Sequence, residues 1–322
     1  MNSDINLLRK RKIGIKKVKH IIRLLSAGTL LLFIVYFVMY NTVNIKESFI
    51  PDTNPKSTNP AVTSDVQNKQ VNPRIDKTSL LKQQLVMYLE TLKGDYGIYY
   101  YNLVTGDSFG INETTVFPAA STIKLPLNLY LYKKIAEGAI NPGSLLKFEK
   151  QDYEEGTGKI QYEKINTQFT IKELSRLSIE ESDNVAANIL FRYLGKNNVK
   201  SFMSQCGAQV VEYENNMTCA VDMGRYIKLT YEFCSNNTNV GKELIKDLTN
   251  TKFNDRIPSG VPESVKVAHK IGTLINVIND VGIIFTDKPY VLSVLSNNVT
   301  ENDAVAAIRI ISEMVYAYNN TL

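Results

Sequence analysis

The chain is poor in the side chains that metal and thiol chemistry use, with two histidines and three cysteines among 322 residues. Only one histidine, His269, lies outside a strongly basic N-terminal segment. No group of these residues has metal-ligand spacing, so we expect neither a metal nor another cofactor. With so little histidine to act as a base, Cys206, Cys219 and Cys234 are better interpreted as small buried hydrophobic residues than as catalytic thiols.

Most of the chain also lacks the excess of basic residues that nucleic acid binding requires. The net charge of +5, from 37 Lys and Arg against 32 Asp and Glu, is concentrated near the N-terminus. The first 23 residues hold one acidic side chain, Asp4, and eight basic ones: Arg9, Lys10, Arg11, Lys12, Lys16, Lys17, Lys19 and Arg23. The remaining residues therefore have a net charge of −2, which argues against a nucleic acid partner. No repeat of fixed period is present, which argues against a solenoid.

One long uncharged run follows these basic residues. Residues 24–40 (LLSAGTLLLFIVYFVMY) are long enough to cross a bilayer, and no small-x-small cleavage pattern comes after them. An uncleaved transmembrane signal-anchor is therefore favoured over a cleaved signal peptide, with residues 1–23 in the cytoplasm and the C-terminal part outside. Residues 41–78 are rich in Asn, Thr, Pro and Ser and predict a disordered linker. The folded domain is then expected over 79–322.

Within that domain the predicted strands fall near the two ends. Amphipathic helices are expected over 79–93 and 304–318. The predicted strands are 96–103, 107–111, 265–272, 280–285 and 290–295. The segment between them, about 115–262, predicts almost entirely helix and loop. If the five strands share one sheet, the middle is a helical lobe inserted into an α/β lobe, with a cleft between the two.

The pattern Ser-x-x-Lys occurs three times, at 79–82, 121–124 and 144–147. Ser121 is favoured because it follows Phe117-Pro-Ala-Ala, lies at a predicted helix start and precedes an apolar run suited to a buried helix. Ser121 and Lys124 would then share one helix face. A lysine can take the proton of a serine hydroxyl only when burial or nearby cations lower its pKa. For an isolated Ser-x-x-Lys a solvated helix face is the better interpretation, so the neighbouring motifs decide.

Two further motifs favour a catalytic role for Ser121 and Lys124 over a solvated helix face. Ser182-Asp183-Asn184 lies at a predicted junction between loop and helix, where a simple N-terminal helix cap would also explain it. Lys270-Ile271-Gly272 lies on the first predicted strand of the C-terminal group. A second Lys-Ile-Gly, at 12–14, is in the predicted cytoplasmic tail and would not meet the other motifs.

Together, these three motifs resemble those of the class A β-lactamase family and related penicillin-binding proteins. The resemblance covers the chain from about Ser79 to the end and includes Asn279-Asp280 and the segment 218–223 (TCAVDM). It implies a bacterial cell-surface serine hydrolase that works through an acyl-serine intermediate. The implied fold is a five-stranded antiparallel sheet flanked by helices, with an inserted all-helical lobe.

The resemblance also implies roles for individual residues. Ser121 would be the acylated nucleophile, Lys124 its activating amine, and Ser182 a proton relay to the leaving nitrogen. Asn184 would hold the side-chain amide of the substrate and contact Lys124. Lys270 would supply positive charge near Ser182 and the substrate carboxylate. Gly272 and Thr273 would line the substrate site, with the backbone N–H groups of Ser121 and Thr273 as the oxyanion hole.

Three departures from the family pattern bear on the reaction. The interval 207–218 is too short for the family loop whose glutamate activates the deacylating water, although Glu212 and Glu214 lie within it. Residues 210–211 also resemble a strand. Ile271 stands where the family has Thr or Ser, and Ile278 stands where many relatives have arginine. We therefore expect slow deacylation and altered carboxylate binding.

These departures leave the substrate open. The expected partner is a small β-lactam or a cell-wall peptide ending in acyl-D-Ala. A penicillin-binding DD-carboxypeptidase-like enzyme and a catalytically weak cell-wall binding module are the alternatives. Tyr153 and Glu155 lie where relatives place an aromatic residue at the mouth of the cleft, but a surface turn explains them equally well.

Overall fold

The structure is a computed structural model that describes residues 77–321. The predicted cytoplasmic tail, the anchor at 24–40 and residues 41–76 of the predicted linker lie outside the described residues. Within 77–321 no helix combines the length and the apolar character needed to cross a membrane.

The described residues form eight α-helices and nine strands. The helices are α1 (Lys77–Leu89), α2 (Lys124–Ala136), α3 (Ile171–Glu180), α4 (Asn184–Leu194), α5 (Lys196–Gln205), α6 (Ala220–Asn236), α7 (Thr238–Thr249) and α8 (Glu301–Asn319). The strands are β1 (Asp95–Asn102), β2 (Ser108–Ile111), β3 (Phe117–Pro118), β4 (Leu145–Lys147), β5 (Gln168–Thr170), β6 (Met217–Thr218), β7 (Lys266–Leu274), β8 (Val277–Phe285) and β9 (Tyr290–Asn297).

The main sheet has five strands in the order β2-β1-β9-β8-β7, and every neighbouring pair is antiparallel. Strands from both ends of the domain therefore share one sheet, which confirms the prediction. The two central strands, β8 and β9, are buried along almost their whole length. Most of their residues are apolar because helices cover both faces of the sheet.

Alternation along these strands divides the core into two clusters. In β9, Val291 and Leu295 pack with the helical lobe, whereas Leu292 and Val294 pack on the other face with α1 and α8. Successive side chains of a strand point to opposite faces, so one strand can serve both cores. Strand β7 lies at the sheet edge beside the inserted lobe, where its residues are free to form one wall of a site.

The inserted lobe is mostly helical, as predicted, but it is not all-helical. Two short antiparallel ribbons cross it, β3 with β6 and β4 with β5. The prediction of a strand at 210–211 is wrong. The N–H groups of Gln209 and Val210 donate to the Asp222 carboxylate at 2.8–2.9 Å, so a side chain at the start of α6 satisfies them instead of a neighbouring strand.

Candidate active site

A cleft of about 740 Å³ lies beside β7 and contains most of the predicted site residues. Its lining includes Ser121, Lys124, Ser182, Asn184 and Thr273. The other two Ser-x-x-Lys serines, Ser79 on α1 and Ser144 before β4, do not line it. Only one copy of the repeated motif therefore lies in the same cleft as Ser182 and Asn184.

Ser121 lies in a single turn of 3₁₀-helix, Ala120–Ile123, directly before α2. The preceding residue, Ala120, has a positive φ of 48°, a strained conformation for a non-glycine residue. The segment is fixed on one side by Asn279, whose Nδ2 donates to the Pro118 carbonyl at 2.9 Å. On the other side the Ala119 N–H donates to the Asn216 carbonyl at 2.8 Å. These contacts hold the strained turn that presents Ser121.

Gly272 packs directly against this turn. A Cβ at position 272 would lie 2.8 Å from the Ala119 carbonyl oxygen and 3.2 Å from the Ser121 nitrogen. Only glycine leaves room for β7 to approach so closely. The neighbouring residue, Thr273, lines the cleft. The strand backbone and the backbone of Ser121 are thus next to each other, as an oxyanion hole built from Ser121 and Thr273 requires.

Lys124 is buried at the base of the cleft, with 4% of its surface exposed. Its Nζ donates to the Ser182 carbonyl at 2.5 Å and to Asn184 Oδ1 at 2.7 Å. Burial lowers its pKa to about 8, although the negative charges of Glu154 and Asp183 act in the opposite direction. A neutral amine, able to accept a proton, is therefore accessible slightly above neutral pH.

Lys270 approaches Ser182 from β7 and is completely buried. Its Nζ donates to Ser182 Oγ at 3.0 Å and to the Ile271 carbonyl at 3.1 Å. Burial, reinforced by the positive charge of Lys124, lowers the pKa of Lys270 well below its usual range. Two lysines from different lobes thus contact the same serine, whose hydroxyl can both accept and donate a proton.

Ser182 is held in place by the residue that follows it. Ser182 has a positive φ of 53°, and Asp183 caps α4 by accepting the Ala186 N–H at 2.9 Å. The second carboxylate oxygen of Asp183 accepts the N–H groups of Lys159 and Ile160 at 2.7 and 2.9 Å. The cap that a sequence of this kind predicts is therefore present. It also ties the loop at 153–160 to the Ser182 turn.

Sequence reasoning missed Arg256. This side chain is 2% exposed and lines the cleft. Its Nη2 donates to Thr273 Oγ1 at 2.7 Å, and its Nη1 donates to the Gly272 and Asn279 carbonyls at 3.0 and 2.6 Å. Its buried Nε has no hydrogen-bond partner within residues 77–321. Strand pairing places Ile278 opposite Thr273. Although residue 278 is an isoleucine, the guanidinium of Arg256 lies beside this pair because it contacts Thr273.

No local pattern in the sequence distinguishes Arg256. Its position depends on a buried contact far along the chain, where Asp280 Oδ2 accepts the Ile257 N–H at 3.0 Å. Asp280 Oδ1 pairs with His269 Nδ1 at 2.8 Å. The histidine next to Lys270 therefore helps hold the carboxylate that fixes the turn after Arg256.

The wall formed by 207–217 presents amides to the cleft rather than carboxylates. Asn215 and Asn216 line the cleft, whereas the two glutamates of this segment, Glu212 and Glu214, are exposed outside its lining. The buried Lys200 donates to Asn216 Oδ1 at 3.1 Å and holds this wall in place. The carboxylates that do line the cleft come from elsewhere: Glu154, Glu155, Asp255 and Glu301.

The described residues contain no cluster of three or more His, Cys, Asp or Glu side chains arranged to hold a metal ion. Cys206, Cys219 and Cys234 are free thiols, and Cys219 and Cys234 are buried. Burial raises the pKa of both buried thiols to about 12, which disfavours the reactive thiolate.

Fold and site together define a serine hydrolase of the β-lactamase type, and comparison with known proteins identifies the family. A profile of the Beta-lactamase enzyme family matches residues 80–319. This chain belongs to that family.

Individual relatives agree with this assignment. A β-lactamase of Streptomyces albus G is 26% identical over 253 residues, which cover 70% of this chain and 79% of the relative. Among solved structures, that of PBP-A is similar with a TM-score of 0.72 and 25% identity, covering 76% of this chain and 97% of PBP-A. A β-lactamase from Sphaerobacter thermophilus DSM 20745 has a TM-score of 0.68 at 23% identity and supports the fold.

Proposed function

We propose that this protein hydrolyses β-lactam amides or related acyl-D-Ala peptides through an acyl-serine intermediate on Ser121. The observation that carries the proposal is the convergence of Lys124 and Lys270 on Ser182, in the cleft that Ser121 lines. Lys124, whose pKa is lowered to about 8, takes the Ser121 proton. Ser182 gives its hydroxyl proton to the departing nitrogen and regains one from Lys124, whose Nζ lies 3.5 Å from Ser182 Oγ. Lys270 donates a hydrogen bond to Ser182 Oγ and, when it is protonated, places a positive charge beside that hydroxyl. A mutant of the similar protein PBP-A has been solved as an acyl-enzyme complex with penicillin G.

Substrate binding follows from the other walls of the cleft. Asn184 Oδ1 is held by Lys124, which leaves the Asn184 amide N–H groups to meet a carbonyl of the substrate. Arg256 and Thr273 meet the substrate carboxylate, with Arg256 replacing the cation absent at Ile278. The backbone N–H groups of Ser121 and Thr273 stabilise the oxyanion.

We further propose that the acyl-enzyme breaks down slowly. Hydrolysis of an acyl-serine requires a base that activates water, and Glu212 and Glu214 lie outside the cleft lining. The wall nearest to them presents Asn215 and Asn216, whose amides cannot accept a proton at neutral pH. Slow release is the property that separates a penicillin-binding peptidase from an efficient β-lactamase.

The site is proposed to work outside the cytoplasmic membrane, at a bacterial cell surface. The support is the uncharged run at 24–40 behind a strongly basic N-terminus, which is the pattern of a single-pass anchor with its C-terminal part outside. β-Lactams and cell-wall peptides are both met on that side of the membrane.

Two assays on the full chain test the proposal. Labelling with a fluorescent penicillin reports acylation, and nitrocefin hydrolysis reports turnover. We expect labelling of the wild type, none of Ser121→Ala, and wild-type labelling of Ser144→Ala, which removes the serine of a duplicate motif outside the cleft. Nitrocefin turnover should be slow compared with labelling. Absence of labelling and turnover would support a binding module instead.

A further inference from the structure

One of the carboxylates that line the cleft, that of Glu154, bears on the charge of the substrate. Glu154 lines the cleft, and its Oε2 accepts a hydrogen bond from Asn188 Nδ2 at 2.8 Å. Asn188 lies four residues after Asn184 on α4, so the two amides share a helix face. Glu154 is therefore fixed one helical turn from the amide proposed to hold the side chain of the substrate.

The loop that carries Glu154 is shaped to bring it there. Gly156 and Gly158 have φ values of +140° and +99°, which favour glycine. Thr157 Oγ1 donates to the Ser182 carbonyl at 2.7 Å, and the Thr157 carbonyl accepts the Asn184 N–H at 3.1 Å. These contacts pack the loop on the Ser182 turn. The Glu154 carboxylate is close enough to Lys124 to raise the pKa of that amine against the effect of burial.

The cleft consequently has charges of opposite sign on different walls. The guanidinium of Arg256 belongs to the β7 wall, where it contacts Thr273. Glu154 belongs to the α4 wall, and the contacts of Lys124 and Lys270 with Ser182 lie between the two walls. A substrate that extends from one wall to the other meets the Arg256 guanidinium at one end, where Asp255 and Glu301 also line the cleft, and the Glu154 carboxylate at the other, where Glu155 follows it in the lining.

We propose that Glu154 makes this enzyme prefer zwitterionic substrates, with a carboxylate at the end bound by Arg256 and an ammonium group beside the side-chain amide bound by Asn184. The inference rests on the proposed function and specifies its substrate class. An ammonium on the carbon next to the side-chain carbonyl lies within reach of a carboxylate that is one helical turn from Asn184. Because Glu154 is exposed, its ion pair with the ammonium group should favour a zwitterionic substrate over one without the ammonium group by about two- to fivefold, the range expected of solvent-exposed ion pairs.

Three penicillins that differ at this one carbon provide the test. Benzylpenicillin has no charge there, ampicillin carries an amine and carbenicillin a carboxylate. The second-order rate constant of acylation would be measured for each with the full chain at pH 6, where the amine is protonated, and at low salt. We expect the order ampicillin, benzylpenicillin, carbenicillin. The advantage of ampicillin over benzylpenicillin should disappear near pH 9, where its amine is neutral.

Variants assign the preference to one side chain. Glu154→Gln should bring the three rate constants together, and Glu154→Lys should invert their order. Glu163→Gln removes the same charge from an exposed position outside the cleft lining and should keep the wild-type order. Equal rate constants in the wild type, or an unchanged order in Glu154→Gln, would overturn this inference while leaving acylation itself intact. No acylation by any of the three would instead overturn the proposed function and this inference with it.

Discussion

The lowered pKa of Lys124 makes acylation depend on pH in a calculable way. At a pKa of about 8, roughly one tenth of the amine is neutral at pH 7 and roughly nine tenths at pH 9. At the ordinary pKa of 10.5, the neutral fraction at pH 7 would be only about 1 in 3,000. Since only the neutral amine can take the Ser121 proton, acylation should rise about tenfold from pH 7 to pH 9 and then level off.

The acylation rate should rise with pH because burial lowers the pKa of Lys124. Burial disfavours the charged form of a lysine, so the proton leaves Lys124 at lower pH and the active form gains population as pH rises. Lys270 is buried near the same serine and its pKa is also lowered, so the apparent pKa belongs to the pair of lysines. Replacing Lys124 by arginine keeps a positive charge that cannot be lost, and the acylation rate should fall at every pH.

Stopped-flow labelling with a fluorescent penicillin between pH 6 and pH 10 measures this profile, with Ser121→Ala as the blank for uncatalysed reaction. Lys134→Arg makes the same substitution at a half-buried position of α2 outside the cleft lining, where arginine can keep the ion pair with Glu137, and should reproduce the wild-type profile. A rate independent of pH over this range, or one that falls from pH 7 to pH 9, would refute the role of Lys124 as the base.

Three other perturbations test the site and its scaffold. Gly272→Ala places a methyl group against the turn that carries Ser121, and we expect at least a hundredfold loss of acylation with about 1–3 kcal/mol loss of folding free energy, measured by labelling and by urea unfolding. Arg256→Gln should lower acylation by benzylpenicillin about tenfold or more, yet leave the slower reaction of its methyl ester nearly unchanged, since only the free acid uses the guanidinium. In the wild type the Asp183 carboxylate accepts three backbone N–H groups, and in Asp183→Asn an NH₂ group replaces one of the accepting oxygens. We expect about 2 kcal/mol of destabilisation, seen as a lower melting temperature.

Matched variants distinguish these effects from general damage. Gly143→Ala changes a glycine in an exposed turn away from the cleft and should leave acylation intact. Asp287→Asn neutralises an exposed carboxylate and should leave the melting temperature nearly unchanged. Equal rates for the acid and the ester in wild-type protein would contradict the carboxylate role of Arg256. Melting of Asp183→Asn at the wild-type temperature would contradict the capping argument.

Local patterns were enough to predict the five strands, and the family resemblance supplied the single antiparallel sheet and the roles of the motif residues. Most residues of β8 and β9 are apolar because both faces of the sheet are covered, and this composition predicted strands at 280–285 and 290–295. Ser121 and Lys124 could be proposed together because they stand three positions apart at a predicted helix start. The resemblance to the class A β-lactamase family then led to Ser182 and Lys270, which the structure brings into contact.

Features that depend on contacts between distant segments could not be predicted in this way. Arg256 reaches the cleft because Asp280 holds the turn after it, a contact across 23 residues that leaves no periodic signal. Glu154 is fixed by Asn188 on another element. Val210 resembles a strand residue by composition, but the Asp222 carboxylate takes its N–H. Composition and periodicity report local preference and burial, and they do not report which distant partner satisfies a polar group.

The proposed function depends on the formation of a covalent acyl-enzyme on Ser121. Intact-protein mass spectrometry after incubation with benzylpenicillin, followed by peptide mapping, detects this intermediate and locates it on the chain. We expect a mass increase of one penicillin per chain, located on the peptide that contains Ser121 and absent from Ser121→Ala. An adduct on any other residue, or no adduct during incubation with saturating penicillin, would contradict it.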